Sequence, residues 1–175
     1  MKRIILGISV LLLLVQTAFA YTDEEFDRWI KDEKNPLTKQ TFMCEKEVTH
    51  HKDYGSPQIC IDSASLYKKQ KILSTDEKDY YGEAYNNAGI IYTFGKGNKN
   101  LKKAHKMFLN AYKVGYGKKH SDVMHKLGYF NRYGKGTEQN KILAYKYYLE
   151  AAKSGNKDSQ DALDSLCKES PWACK

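Results

Sequence analysis

Apolar residues first occur as one nearly unbroken block. Ile4 to Val15 is interrupted only by Gly7 and Ser9, is preceded by Lys2 and Arg3, and leads through Gln16 and Thr17 to Ala18-Phe19-Ala20. A positive start, a short apolar stretch and a small-x-small end make up the pattern of a cleaved export signal. It predicts cleavage after Ala20, a mature chain starting at Tyr21, and a periplasmic or secreted location. The twelve residues from Ile4 to Val15 fall short of the roughly 20 needed to span a bilayer. No stable membrane insertion is therefore expected after cleavage, and the lack of a Cys directly after Ala20 argues against a lipid anchor.

Beyond Ala20 the apolar positions take up a helical period. Thr22 and Glu25 form a capping box before a helix from Asp23 to about Lys34, with Phe26, Trp29 and Ile30 on one face and Pro36 as its stop. A second helix, about Thr38 to His50, carries Phe42, Cys44 and Val48. After the turn Tyr54-Gly55-Ser56-Pro57, a third runs from Gln58 to Leu73 with Cys60, Ala64 and Tyr67. Ser74 and Glu77 form another capping box before the stripe Tyr81, Ala84, Tyr85, Ala88, Ile91, Tyr92, which ends at Gly95-Lys96-Gly97. Leu101, Ala104, Phe108, Ala111 and Tyr112 follow, stopped at Gly115. Val123, Leu127 and Phe130 then lead to Gly134-Lys135-Gly136, and Ala144, Tyr148, Ala151 and Ala152 lead to Gly155. A last helix, about Lys157 to Lys168, carries Ala162, Leu163 and Leu166.

The later part of this pattern repeats. Gly89 to Gly128 and Gly95 to Gly134 are each 39 residues apart, while Ala104 to Ala144, Ala111 to Ala151 and Gly115 to Gly155 are each 40. A helix pair recurring at this spacing points to an α-solenoid, in which pairs stack because none can bury its apolar face alone. The expectation is an all-α chain: a signal over 1–20, an N-terminal helical segment with a disulfide over 21–73, and helical repeats with a capping helix over 74–175.

At these positions the sequence resembles the Sel1-like repeat family, relatives of the tetratricopeptide repeats, whose pattern is roughly A-x-x-x-L-G-x-x-Y-x-x-G-x-G-V, then D-x-x-K-A, then K-A-A-x-x-G. The first copy runs from Ala84 through Ala88-Gly89, Tyr92, Gly95-Lys96-Gly97 and Lys103-Ala104 to Ala111 and Gly115. The second has Leu127-Gly128, Gly134-Lys135-Gly136, Ala144, Ala151-Ala152 and Gly155, and residues 156–163 begin a third copy that stops. The resemblance covers about 74–166. Departures are Asn98 and Thr137 in the valine slot, Asn100 and Asn140 in the aspartate slot, where they still suit an N-cap, and Asn131 in the tyrosine slot. An insertion around Tyr116 to Lys119 should make the stacking irregular. The small residues allow close helix approach, and the loop glycines suit positive φ.

Composition refines the picture. The four cysteines Cys44, Cys60, Cys167 and Cys174 lie beyond the signal, where export permits disulfides. Of the three connectivities, the local pairs Cys44–Cys60 and Cys167–Cys174 are favoured, the first because two antiparallel helices would bring its members together. A metal site combining cysteines with His50 and His51 matches no zinc spacing, so neither metal nor cofactor is expected. Exported members of the family that tie helices with cysteines are similar in kind. The net charge of +8 suits an acidic partner. The lysines are spread along the chain rather than clustered on one side, which argues against nucleic acid.

No catalytic set stands out, so no enzymatic activity is expected. Gly95-Lys96-Gly97 and Gly134-Lys135-Gly136 lack the phosphate-loop frame. His120, Ser121 and Asp122 are adjacent and cannot form a triad, and Ser121 reads as an N-cap. His105 and His125 read as surface residues on their helices. Tyrosine is abundant, with 14 residues. Tyr92, Tyr112 and Tyr148 fall on the buried stripe, while Tyr129 and Tyr133 fall off it, where exposed rings suit an interface. Opposite the buried stripe of the first repeat lie Asn86, Ile90 and Thr93, and 39 residues on lie His125, Tyr129 and Arg132. These six are the expected partner-binding residues, with packing against the N-terminal segment as their other use. The reading is an exported protein-binding module, in one version an inhibitor or immunity protein against a periplasm-acting effector. The alternatives are an envelope scaffold or adaptor and, through the resemblance, a β-lactam- or cell-wall-fragment-binding or -hydrolysing enzyme.

Overall fold

A computed structural model describes residues 27–28, 31, 36–49, 55–70 and 75–175. The export signal, the Thr22–Glu25 capping box, His50, His51 and the Ser74 cap lie outside the described residues. The chain divides into two compact units, Met1–Asn35 and Pro36–Lys175. In the first, Asp27, Arg28 and Lys31 are helical and exposed.

Among its described residues the second unit is built from seven α-helices without a strand: α1 Pro36–Thr49, α2 Pro57–Lys68, α3 Thr75–Phe94, α4 Leu101–Lys113, α5 Ser121–Tyr133, α6 Lys141–Lys153 and α7 Lys157–Glu169. Single 3-10 turns occupy Tyr116–Lys118 and Pro171–Cys174. Each helix packs on its chain neighbours and α1 also reaches α3, the arrangement of an all-α solenoid. Pro36, expected as a helix stop, is the first residue of α1, as suits a residue whose missing N–H costs nothing in a first turn.

Asparagine caps set the start of three helices. Asn100, Asn140 and Asn156 accept hydrogen bonds from the backbone N–H groups of Lys103, Leu143 and Ser159 at 3.0, 2.8 and 2.8 Å. Ser121 is not a cap: it is the first residue of α5, His120 holds the capping position, and that side chain makes no capping bond. The loop glycines also differ from expectation. Gly97, Gly134 and Gly136 have positive φ, whereas Gly95 lies where a Cβ would stand 2.5 Å from the Ile91 carbonyl oxygen. Gly136 is the most constrained, because at φ 67° a Cβ would also meet the Leu101 backbone at 2.2 Å.

The core is a run of Ala, Ile, Met, Leu and aromatic side chains from α1 to α6, including Ala64, Ala88, Ile91, Phe108 and Leu127, with a second cluster of Ala144, Tyr148, Leu163 and Leu166. Glycines on the first helix of each repeat receive an aromatic ring from the second helix. A Cβ on Gly89 would lie 2.6 Å from the Phe108 ring, and one on Gly128 the same distance from Tyr148. The small residues therefore make room for rings as well as for backbones. The insertion between repeats becomes ordered by the same device: Tyr116 is buried over Gly82, where a Cβ would meet it at 2.2 Å, and stacks on His120 at 4.0 Å.

Both local disulfides form. Cys44–Cys60 joins α1 to α2 in the core, and Cys167–Cys174 ties the end of α7 to the last turn. Helix α7 buries Ser159, Leu163 and Leu166 and turns Asp158, Gln160, Asp161, Asp164 and Lys168 to solvent. Among the described residues no helix is long and apolar enough to cross a membrane.

Candidate functional site

The two helices within each repeat pack more extensively than α4 packs on α5, the seam between repeats. A cleft of about 320 Å³ opens there. Its walls come from the end of α3 (Thr93, Phe94), the loop and start of α4 (Lys99, Leu101), α5 (His125, Lys126, Tyr129) and the turn after it (Lys135), and Phe108 and Phe130 also line it. These two phenylalanines are buried and meet edge to face at 5.5 Å. At the rim Phe94 is 63% exposed and Tyr129 43% exposed. Tyr129 leans on Phe130 at 6.2 Å and on Tyr133 at 4.9 Å, so its ring is held as an anchor rather than left free.

The local sequence explains this exposure. Helix α3 runs to Phe94 and is broken at Gly95, so Phe94 falls past the buried stripe that ends at Tyr92. Tyr129 sits between the buried Gly128 and Phe130, on the helix edge that a neighbouring helix does not cover. Three lysines line the cleft and no carboxylate does. Lys126 pairs with Asp122, donates to the Asn86 side-chain oxygen at 3.3 Å and lies 5.7 Å from the Phe108 ring centroid. Lys99 and Lys135 are exposed and make no ion pair among the described residues.

Of the six residues expected from the sequence, Thr93, His125 and Tyr129 line this cleft. Ile90 is half-buried and packs against the core, and Thr93 returns its hydroxyl to the Gly89 carbonyl at 2.7 Å. Asn86 and Arg132 are turned inward, each 7% exposed. Arg132 pairs with Glu169 at 2.7 Å and donates to Ser165 Oγ at 2.9 Å and to the Ala162 carbonyl at 3.2 Å, so it fastens α7 to α5 instead of facing a partner. Phe94, Lys99, Lys126 and Lys135 were not singled out from the sequence. An aromatic residue directly before a glycine turn, off the apolar stripe, is the signal that would have found Phe94.

The histidines are less exposed than their helical surroundings suggested. His105 is half-buried, stacked on Phe130 at 6.1 Å, and burial lowers its pKa below the ordinary imidazole value. His125 Nδ1 lies 2.8 Å from Ser159 Oγ, and burial outweighs Asp158 to hold its pKa low as well. A histidine beside a serine hydroxyl resembles half of a nucleophile–base pair. Ser159, however, is fully buried, so the contact joins α5 to α7 and offers nothing to a substrate. All four cysteines are held in disulfides.

Stacked helix pairs with an open cleft between them define an α-helical repeat module. More particularly, residues 82–116 and 121–156 match the Sel1 repeat family, and the chain carries two Sel1 repeats. These repeats are a non-catalytic, protein-binding fold, so this part of the chain is a protein–protein interaction module. No curated protein and no solved structure matches the chain.

Proposed function

We propose that this chain is an exported module that captures another protein through the cleft between α3, α4 and α5. The observation that carries the reading is the exposure of Phe94 and Tyr129, 63% and 43%, on the rim of a cleft lined by buried rings. Rigid aromatic side chains above a desolvated floor are the residue type and setting of binding hot spots. Thr93, His125 and Tyr129, expected from the helical stripe, fall in this same cleft. Export is supported by the sequence pattern from Lys2 to Ala20 and by two disulfides, which persist in oxidising compartments such as the periplasm or the cell exterior. A small basic module without its own chemistry suits an inhibitor of an envelope-acting effector, the immunity-protein version of this reading.

The test is affinity capture from an envelope extract using the mature protein beside a Phe94→Ala/Tyr129→Ala variant. The expected result is a protein retained by the first and lost by the second, with the two melting alike. Equal retention by both would sink the cleft as the site. If the retained protein is toxic in the envelope and the mature chain relieves that toxicity, the module is an inhibitor. If it is a resident structural protein, the module is a scaffold.

A further inference from the structure

The cleft has a charge pattern as well as a shape. Positive charge reaches it from three directions: Lys99 from the loop before α4, Lys126 from α5 and Lys135 from the turn after α5. Asp122 pairs with Lys126, whose ammonium lies close to the Phe108 ring. Lys99 and Lys135 are left without anionic partners among the described residues. Between the lysines the surface is aromatic, and its volume of about 320 Å³ is at the small end of ligand-sized clefts, roughly 300–1,000 Å³.

We infer that the occupant is an acidic peptide segment of the partner, presenting one large apolar side chain between Phe94 and Tyr129 with Asp or Glu residues on either side of it facing Lys99 and Lys135. This rests on the reading of the cleft as the protein-binding site. The apolar side chain completes the desolvation that the exposed rings leave unfinished. Flanking carboxylates satisfy two lysines that otherwise stand beside apolar surface, and complementary charge of this kind steers encounter and fixes register. His125 adds no positive charge near neutrality, because its burial favours the neutral ring; the lysines alone set the field. Aromatic rings with lysines also suit a single-stranded nucleic acid, whose bases stack on such rings. That occupant would need a basic track several nucleotides long, whereas here the lysines border one cleft of about 320 Å³ within a pair of protein-binding repeats.

The experiment is selection of a random peptide phage library on the mature protein, followed by binding of the enriched peptides to wild type, Phe94→Ala and Lys99→Glu/Lys135→Glu proteins, with an oligothymidylate as competitor. Enriched peptides should share an aromatic residue or Leu flanked by Asp or Glu. They should bind Phe94→Ala at least about ten-fold more weakly, as loss of a hot-spot contact requires. They should lose affinity on the charge-reversed variant and in high salt, and they should not be displaced by the oligothymidylate. Circular dichroism melts matching wild type would exclude unfolding as the cause. Enrichment of neutral or basic peptides, no enrichment, or peptides indifferent to both variants overturns the inference, and displacement by the oligothymidylate assigns the cleft to nucleic acid. If no acidic peptide binds but envelope capture still depends on Phe94 and Tyr129, the cleft stands and only the chemistry of its occupant is wrong.

Discussion

Glu83 is placed where a carboxylate is costly. It lies on α3 and is half-buried, with Glu45 of α1 and Asp79 one turn earlier on α3 as its charged neighbours. Tyr116 also lies within reach of its field. Burial first, then Glu45 and Asp79, push its pKa from 4.5 up to about 7. A folded-state pKa above the unfolded one means the native state holds a proton that the unfolded chain releases. The stability tied to that proton is fully present below pH 4.5 and is lost as pH rises through about 7. At about 1.4 kcal/mol for each pH unit between the two values, the loss by pH 8 is at most about 3 kcal/mol. Glu83→Gln, a neutral side chain of the same shape, should therefore stabilise the protein at pH 8 by about 2–3 kcal/mol and change it little at pH 5. Urea unfolding of both proteins at the two pH values reads this directly, and the difference between them isolates Glu83 from the histidines that also titrate. A variant that is no more stable than wild type at pH 8, or that gains equally at pH 5, would refute the reasoning.

Gly128→Ala places a methyl group 2.6 Å from the Tyr148 ring and should cost about 1–3 kcal/mol in thermal or urea unfolding, since overpacking forces α6 to shift. Arg132→Ala should destabilise by about 1–2 kcal/mol, because it empties a buried side-chain site on α5 and removes the ties to Ala162, Ser165 and Glu169 that hold α7; an unchanged melt would show that the α5–α7 contact carries little. Phe108→Ala should cost about 3–4 kcal/mol, while His105→Ala, whose ring stacks on Phe130, should cost about 1 kcal/mol rather than the few tenths typical of a surface site. Peptide mapping of unreduced protein should show Cys44 linked to Cys60 and Cys167 to Cys174, with each small loop worth about 2–3 kcal/mol on reduction; free thiols or a Cys60–Cys167 link would refute the pairing.

The periodicity of apolar residues was enough to read the helices, since a helix must bury one stripe whatever it packs against. It located Ile91, Phe108 and Leu127 in the core. The caps Asn100 and Asn140 and the local disulfides were equally legible, because each depends on residues close in the chain or on helices joined by a short turn. Spacings of 39 and 40 residues between like glycines and alanines revealed the repeats for the same reason. Tertiary structure decided which side chains off the stripe face solvent. Asn86, Ile90, Thr93, His125, Tyr129 and Arg132 share a helical phase, yet α7 covers Arg132, Lys126 reaches Asn86, and Tyr129 stays open. Phe94, Lys99 and Lys135 lie in a helix end, a loop and a turn, and only the docking of α4 against α5 brings them around one cleft. Burial raises the Glu83 pKa and lowers that of His125, and no local pattern reports burial created by a neighbouring helix. The period of a chain tells which way a side chain points from its own helix, but what lies in that direction depends on long-range packing.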